Sequence, residues 1–124
     1  MIEVHYVTFD CARPYEVATF WRDALGLRFH PETDKDEDDE FLLQGDTLNL
    51  LFMTVPEGKT VKNRLHLDVT ASPDSTREKE VERLLGLGAT IFDDLRKPDG
   101  SGWVTMLDPE GNEFCVCRAE HERK

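Results

Sequence analysis

The 124-residue sequence predicts an α+β domain made of two βαβββ modules, with helices outside a curved sheet that encloses a cavity. Three observations predict it. Apolar and polar residues alternate near residue 7 and again near residue 66, an apolar i, i+3, i+4, i+7 stripe follows each alternating stretch, and short strands follow each stripe. The modules span about residues 1–55 and 64–118 of a single domain covering 1–124, a length that supports one real core. Each module has an apolar side facing its helix and a polar side that needs a partner, so two modules facing each other would enclose space.

Residues 3–11 alternate Val7, Phe9 and Cys11 against Tyr6, Thr8 and Asp10, the pattern of a half-buried strand. Pro14 opens a helix striped by Val17, Phe20, Trp21 and Ala24, a spacing that assigns both aromatic rings to core packing, and Gly26 closes it. Strands follow at Leu27–Pro31, Glu40–Leu43 and Leu48–Val55, the last two joined at Gly45 and Asp46. Pro56–Asn63 reads as a polar connector.

The second half repeats this order. RLHLDVT places Leu65, Leu67 and Val69 on one face of a strand and His66, Asp68 and Thr70 on the other. Ser72 or Asp74 is the expected cap of a helix that carries Val81, Leu84, Leu85 and Gly88. A strand near Thr90–Asp93, a loop at Lys97–Gly102 and a hairpin of Trp103–Leu107 with Glu113–Cys117 complete the module. In the last strand Phe114 and Val116 alternate with Glu113, Cys115 and Cys117.

With 26 acidic against 15 basic residues the net charge is -11, so a phosphate backbone or an anionic bilayer is repelled. No apolar run approaches the roughly 18–20 residues of a membrane span, and the N-terminus lacks a basic stretch followed by a long apolar one. The expectation is a soluble cytoplasmic protein with neither nucleic acid nor membrane as partner. Three cysteines, two of them only two residues apart, suit free thiols in a reducing compartment. The run DKDEDDE fails the calcium-loop template, because its sixth position is Asp39 and its twelfth is Gly45, and reads as a solvated hairpin tip.

VTFDCARPYEVATFWRDALGL, NRLHLDVT and WVTMLDPEGNEFCV, in that order, resemble the glyoxalase/bleomycin-resistance/dioxygenase family, also called vicinal oxygen chelate proteins. The resemblance covers nearly the whole chain and implies the paired-module fold. In metal-using members it also implies one His, Glu or Gln ligand on the first and the last strand of each module. Carried onto this sequence, those positions fall on Tyr6, Met53, His66 and Cys115, of which His66 alone is a usual donor. The expectation is therefore no cofactor and no divalent ion. Zinc is the exception to watch, since His66 with Cys115 and Cys117 supplies donors it accepts.

The expected function is metal-independent binding of a small organic molecule, as in the drug-sequestering branch of the family. Its cavity would be lined by Tyr6, Thr8, Asp10 and Met53 from the first module and by His66, Asp68, Thr70 and Cys115 from the second. Trp103 either walls this cavity or covers its mouth. His66 reads as a base, a ligand group or a plain hydrogen-bonded pocket histidine, and Cys115 as a thiolate or an inert cavity-wall residue. Asp10 and Asp68, on strands expected to be central, favour a neutral or cationic ligand, whereas Arg64, sharing the parity of His66, would favour an anion. The alternatives are a metal-dependent lyase, isomerase or dioxygenase of the same fold, and a degenerate domain acting through protein contacts. The resemblance also implies a homodimer.

Overall fold

In the computed structural model, which describes residues 1–123, the first alternating stretch becomes strand β1 (Val7–Cys11) and pairs in parallel with β4 (Leu50–Thr54). A parallel pair needs a crossover. Helix α1 (Pro14–Leu25), β2 (Arg28–Phe29) and β3 (Glu40–Gln44) provide it, and the sheet order is β1-β4-β3-β2. Proline at the first turn and Gly26 in the left-handed conformation (φ 69°) bound α1 as expected. Its stripe of Val17, Phe20 and Trp21 is buried with Phe41, Leu43, Leu50 and Phe52, and Phe9 stacks on Phe52 at 4.9 Å. The acidic run lies exposed between β2 and β3, where Asp38 and Asp34 carboxylates accept the backbone N–H groups of Asp34 and Asp36.

The chain forms two compact units, Met1–Gly58 and Lys59 onward. The second unit repeats the first, with β5 (Asp68–Thr70), α2 (Arg77–Leu87), β6 (Thr90–Asp94), β7 (Trp103–Leu107) and β8 (Glu113–Cys117) in sheet order β5-β8-β7-β6. A 3-10 turn, Glu120–Glu122, follows. Strand β5 runs parallel to β8, and β7 is antiparallel to both of its neighbours. Val81 and Leu84 of α2 are buried with Val104, Met106, Phe114 and Val116. Buried Asp108 closes the β7–β8 turn by accepting the N–H groups of Glu110 and Asn112 and the Asn112 side-chain amide. The α+β class and the twice-repeated βαβββ order are as expected, and among the described residues no helix is long and apolar enough to cross a membrane. None of the three cysteines is in a disulfide.

Several local expectations are corrected. Strand β1 starts at Val7 rather than residue 3, because its partner strand begins opposite Val7 and Met1–Tyr6 has no ladder to join. Strand β5 covers only Asp68–Thr70 and β2 only two residues. β1 and β5 are edge strands of their own sheets, not central ones, since only β4 or β8 returns to pair with them. The cap of α2 is Thr76, whose Oγ1 accepts the Lys79 N–H, while Ser72 and Asp74 hydrogen-bond each other at 2.7 Å.

Candidate functional site: a pocket on the second sheet

Because β8 lies between β5 and β7, one face of the second sheet gathers side chains from three strands. Cys115 faces Asp68 across the β5 ladder and Thr105 across the β7 ladder, so the three stand in a row. The Thr105 hydroxyl is 3.6 Å from Cys115 Sγ. His66 lies ahead of β5 and places Nδ1 3.2 Å from Asp68 Oδ1, so the carboxylate orients the ring. One donor atom each from His66, Asp68 and Cys115 falls within 4.8 Å of the others. Phe114 and Val116, one residue to either side of Cys115, point into the core instead.

This row forms part of the wall of a pocket of about 410 Å³, within the usual range for small-molecule sites. Leu95 and Trp103 add apolar wall, and Trp103 keeps 43% of its surface exposed. Trp103 is positioned from behind. Its carbonyl accepts the Leu95 N–H at 2.9 Å, and the carbonyl of Gly102 accepts from Nη1 of buried Arg77 at 2.9 Å. Gly102 sits at φ +87°, and a Cβ there would run into the Leu95 carbonyl, so the approach requires glycine.

Glu113 and Lys62 also line the pocket. Glu113 is buried, which would raise its pKa, but Lys59 Nζ at 2.7 Å and the Asn63 N–H outweigh the burial and hold the carboxyl below its ordinary value. Its charge is thereby committed to the loop. Burial, followed by the nearby Asp68 and Cys115, pushes the Cys117 thiol upward, which keeps it protonated at neutral pH.

Of the residues singled out in the sequence, His66, Asp68, Trp103 and Cys115 come together here. Thr70 lies on β5 opposite Cys117 but outside the pocket wall. Tyr6, Thr8, Asp10 and Met53 belong to the first unit, where Met53 pairs with Asp10 in register and Tyr6 stacks on His5 at 3.9 Å. Arg64 is exposed and absent from the wall, because strand parity does not extend ahead of Asp68, and Lys62 is the cation there instead. Thr105, Leu95, Lys62 and the Lys59–Glu113 pair were missed. Thr105 shares the parity of Trp103, and Glu113 that of Cys115, so both could have been found, whereas Leu95, Lys62 and Lys59 depend on loop paths that periodicity does not encode.

The metal positions of the family, carried onto Tyr6, Met53, His66 and Cys115, offer a phenol, a thioether, an imidazole and a thiol. That set does not suit a hard six-coordinate ion, which needs several carboxylate, carbonyl or imidazole donors.

Three solved structures are similar to this chain in fold. FosX, a fosfomycin resistance protein from Listeria monocytogenes, solved as an E126Q mutant with Mn(II) and 1S,2S-dihydroxypropylphosphonic acid, is 14% identical with a TM-score of 0.69, covering 94% of this chain and 90% of that one. Lactoylglutathione lyase from Agrobacterium tumefaciens is 17% identical with a TM-score of 0.62, covering 93% and 92%. A glyoxalase/bleomycin resistance protein/dioxygenase family enzyme from Burkholderia phytofirmans PsJN is 18% identical with a TM-score of 0.66, covering 90% and 94%. At these identities the likeness concerns the fold. No curated protein matches the sequence. Residues 6–117, nearly the entire chain and both βαβββ repeats, match the glyoxalase-like domain, and the chain belongs to that family.

Proposed function

We propose that the pocket of the second unit binds a small organic molecule through its side chains alone, without the hard divalent ion used by metal-dependent relatives. The observation that carries this reading is the makeup of the wall, in which Trp103 and Leu95 stand beside the polar row of His66, Asp68, Thr105 and Cys115 in a pocket of about 410 Å³. A flat apolar surface with a few directional polar groups is the usual composition of such sites. Asp68 is the carboxylate left to a ligand, since Glu113 is committed to Lys59, so neutral or cationic heterocycles are favoured over anions. Stacking on Trp103 favours the same class.

A thermal-shift panel with chelator present tests this. Amines and neutral heterocycles should raise the melting temperature, the gain approaching about 2.7 kcal/mol at 100 times the dissociation constant. Trp103→Ala should abolish the gain. Stabilisation by carboxylates or phosphates only would overturn the reading.

The rival reading, a metal-dependent lyase, isomerase or dioxygenase, draws support from the convergence of His66, Asp68 and Cys115 and from the Mn(II)-bound FosX fold relative. It predicts that ligand binding vanishes in chelator and returns on adding Mn(II).

A further inference from the structure

We infer that Arg77 and Glu122, neither of which lines the ligand pocket, form a clasp that holds Trp103 in its binding position, so the C-terminal turn governs how tightly the pocket binds. The inference rests on the reading of that pocket as a ligand site and names two positioning residues for it.

Arg77 keeps only 4% of its surface exposed, and arginine is rarely buried unless its charge is paired. Its side chain reaches two places. Nη1 donates at 2.9 Å to the Gly102 carbonyl, which belongs to the peptide bond leading into Trp103. Nε and Nη2 approach Glu78 Oε1 at 3.1 and 3.0 Å. The Arg77 backbone N–H donates to Glu122 Oε1 at 2.8 Å, and Glu122 Oε2 accepts the Ala119 N–H at 3.0 Å. Ala119 lies two residues beyond Cys117, and Cys117 is the ladder partner of Trp103. The clasp thus grips both strands at the Trp103 end, one residue before Trp103 on the β7 side and two residues past its partner on the β8 side.

Trp103 depends on such a grip. Among the described residues its indole N–H has no hydrogen-bond partner, so the ring is placed through its backbone. A binding group fixed in advance loses less freedom when a ligand arrives, so residues that never touch the ligand can raise affinity by holding one that does. Lysine at position 77 would keep the charge, but a single ammonium lacks the planar fork that spans Gly102 and Glu78.

The test uses full-length protein carrying 5-fluorotryptophan, in which the two tryptophans give two fluorine resonances, assigned with Trp103→Phe. Without any ligand, Arg77→Lys and Glu122→Gln should each displace or broaden the Trp103 resonance and leave that of Trp21, in the first unit, in place. Leu84→Ala, a core truncation farther along α2, weakens the fold away from the clasp and should leave the Trp103 resonance unmoved. 4-Aminoquinoline, a flat cationic heterocycle, is then titrated with chelator present. Glu122→Gln should raise its dissociation constant about fivefold or more, the lower end of ordinary coupling between separate sites. Arg77→Lys combined with Glu122→Gln should lose no more than the larger single loss, because the two residues act through one contact path.

A Trp103 resonance that stays in place in both single variants, or that Leu84→Ala moves as far, overturns the clasp. So does an unchanged dissociation constant in Glu122→Gln. Should the wild type fail to bind 4-aminoquinoline, the ligand reading loses its support while the fluorine spectra still decide the clasp. Circular dichroism checks folding of each variant, and if Arg77→Lys does not fold, the half-buried Glu122 position carries the test.

Discussion

Glu122 shows how one carboxylate ties a chain end to a helix. Its Oε1 accepts the Arg77 N–H at 2.8 Å, the first residue of α2, and its Oε2 accepts the Ala119 N–H at 3.0 Å. Burial pushes its pKa up, but the two N–H donors, with His121 and Arg77 adding charge, bring it below the ordinary 4.5. A depressed folded pKa stabilises the native state above the unfolded value, and that contribution is lost as pH falls through the folded value. Glu122→Gln should therefore cost about 1 kcal/mol near neutral pH, and its deficit against wild type should shrink as the pH falls below the ordinary glutamate value and through the lower folded one. Urea melts across that range measure the gap. Nothing in the sequence pairs residue 122 with residue 77, since the contact spans 45 positions and depends on the path of the final turn. Asp68 and Cys115 were legible for the opposite reason, because alternation alone assigns each strand side chain a face, while His66, ahead of β5, joins them through its contact with the Asp68 carboxylate.

The caps and strand ends show where local reasoning holds and where it competes. Gly26 was readable as a helix stop because the left-handed conformation costs other residues a clash that glycine avoids, whereas Gly88, expected within the stripe of α2, caps it in that same conformation instead. The start of α2 was not, because Ser72, Asp74 and Thr76 all carry capping side chains and the first two satisfy each other. Thr76→Ala should destabilise the protein by about 1 kcal/mol, whereas Ser72→Ala should change stability by less than half of that. Thermal or urea denaturation of the two variants separates them, and equal losses would show that the Ser72–Asp74 pair also supports the helix. The short β5 has a related cause. The segment ahead of it is held by Asn63 and Lys59 on Glu113, a long-range contact absent from the alternating pattern of RLHLDVT.

At the scale of the whole molecule, the repeat was legible because each βαβββ unit restates the same stripe and alternation, while the position of each strand within its sheet was not. Strand order depends on which later strand returns to which earlier one, and period-two alternation carries no information on neighbours. Each sheet ends in two strands open within that sheet, β1 and β2 in one and β5 and β6 in the other. All five residues of β6 are exposed, among them Phe92 at 65%. Open edges and the family expectation together predict a homodimer. Sedimentation at micromolar concentration should show a species heavier than the 14.3 kDa monomer, and a single species at that mass would count against it.

The middle place of β8 has an evolutionary consequence. Phe114 and Val116 hold the strand in the core while Cys115, one step away, faces the pocket beside Asp68 and Thr105. Folding and chemistry are therefore written on alternate letters of the same strand. Mutation can rewrite the pocket letters, replacing a carboxylate donor with a thiol or a hydroxyl, while the core letters keep their register. Descendants of such a scaffold can change what they recognise without first learning to fold again.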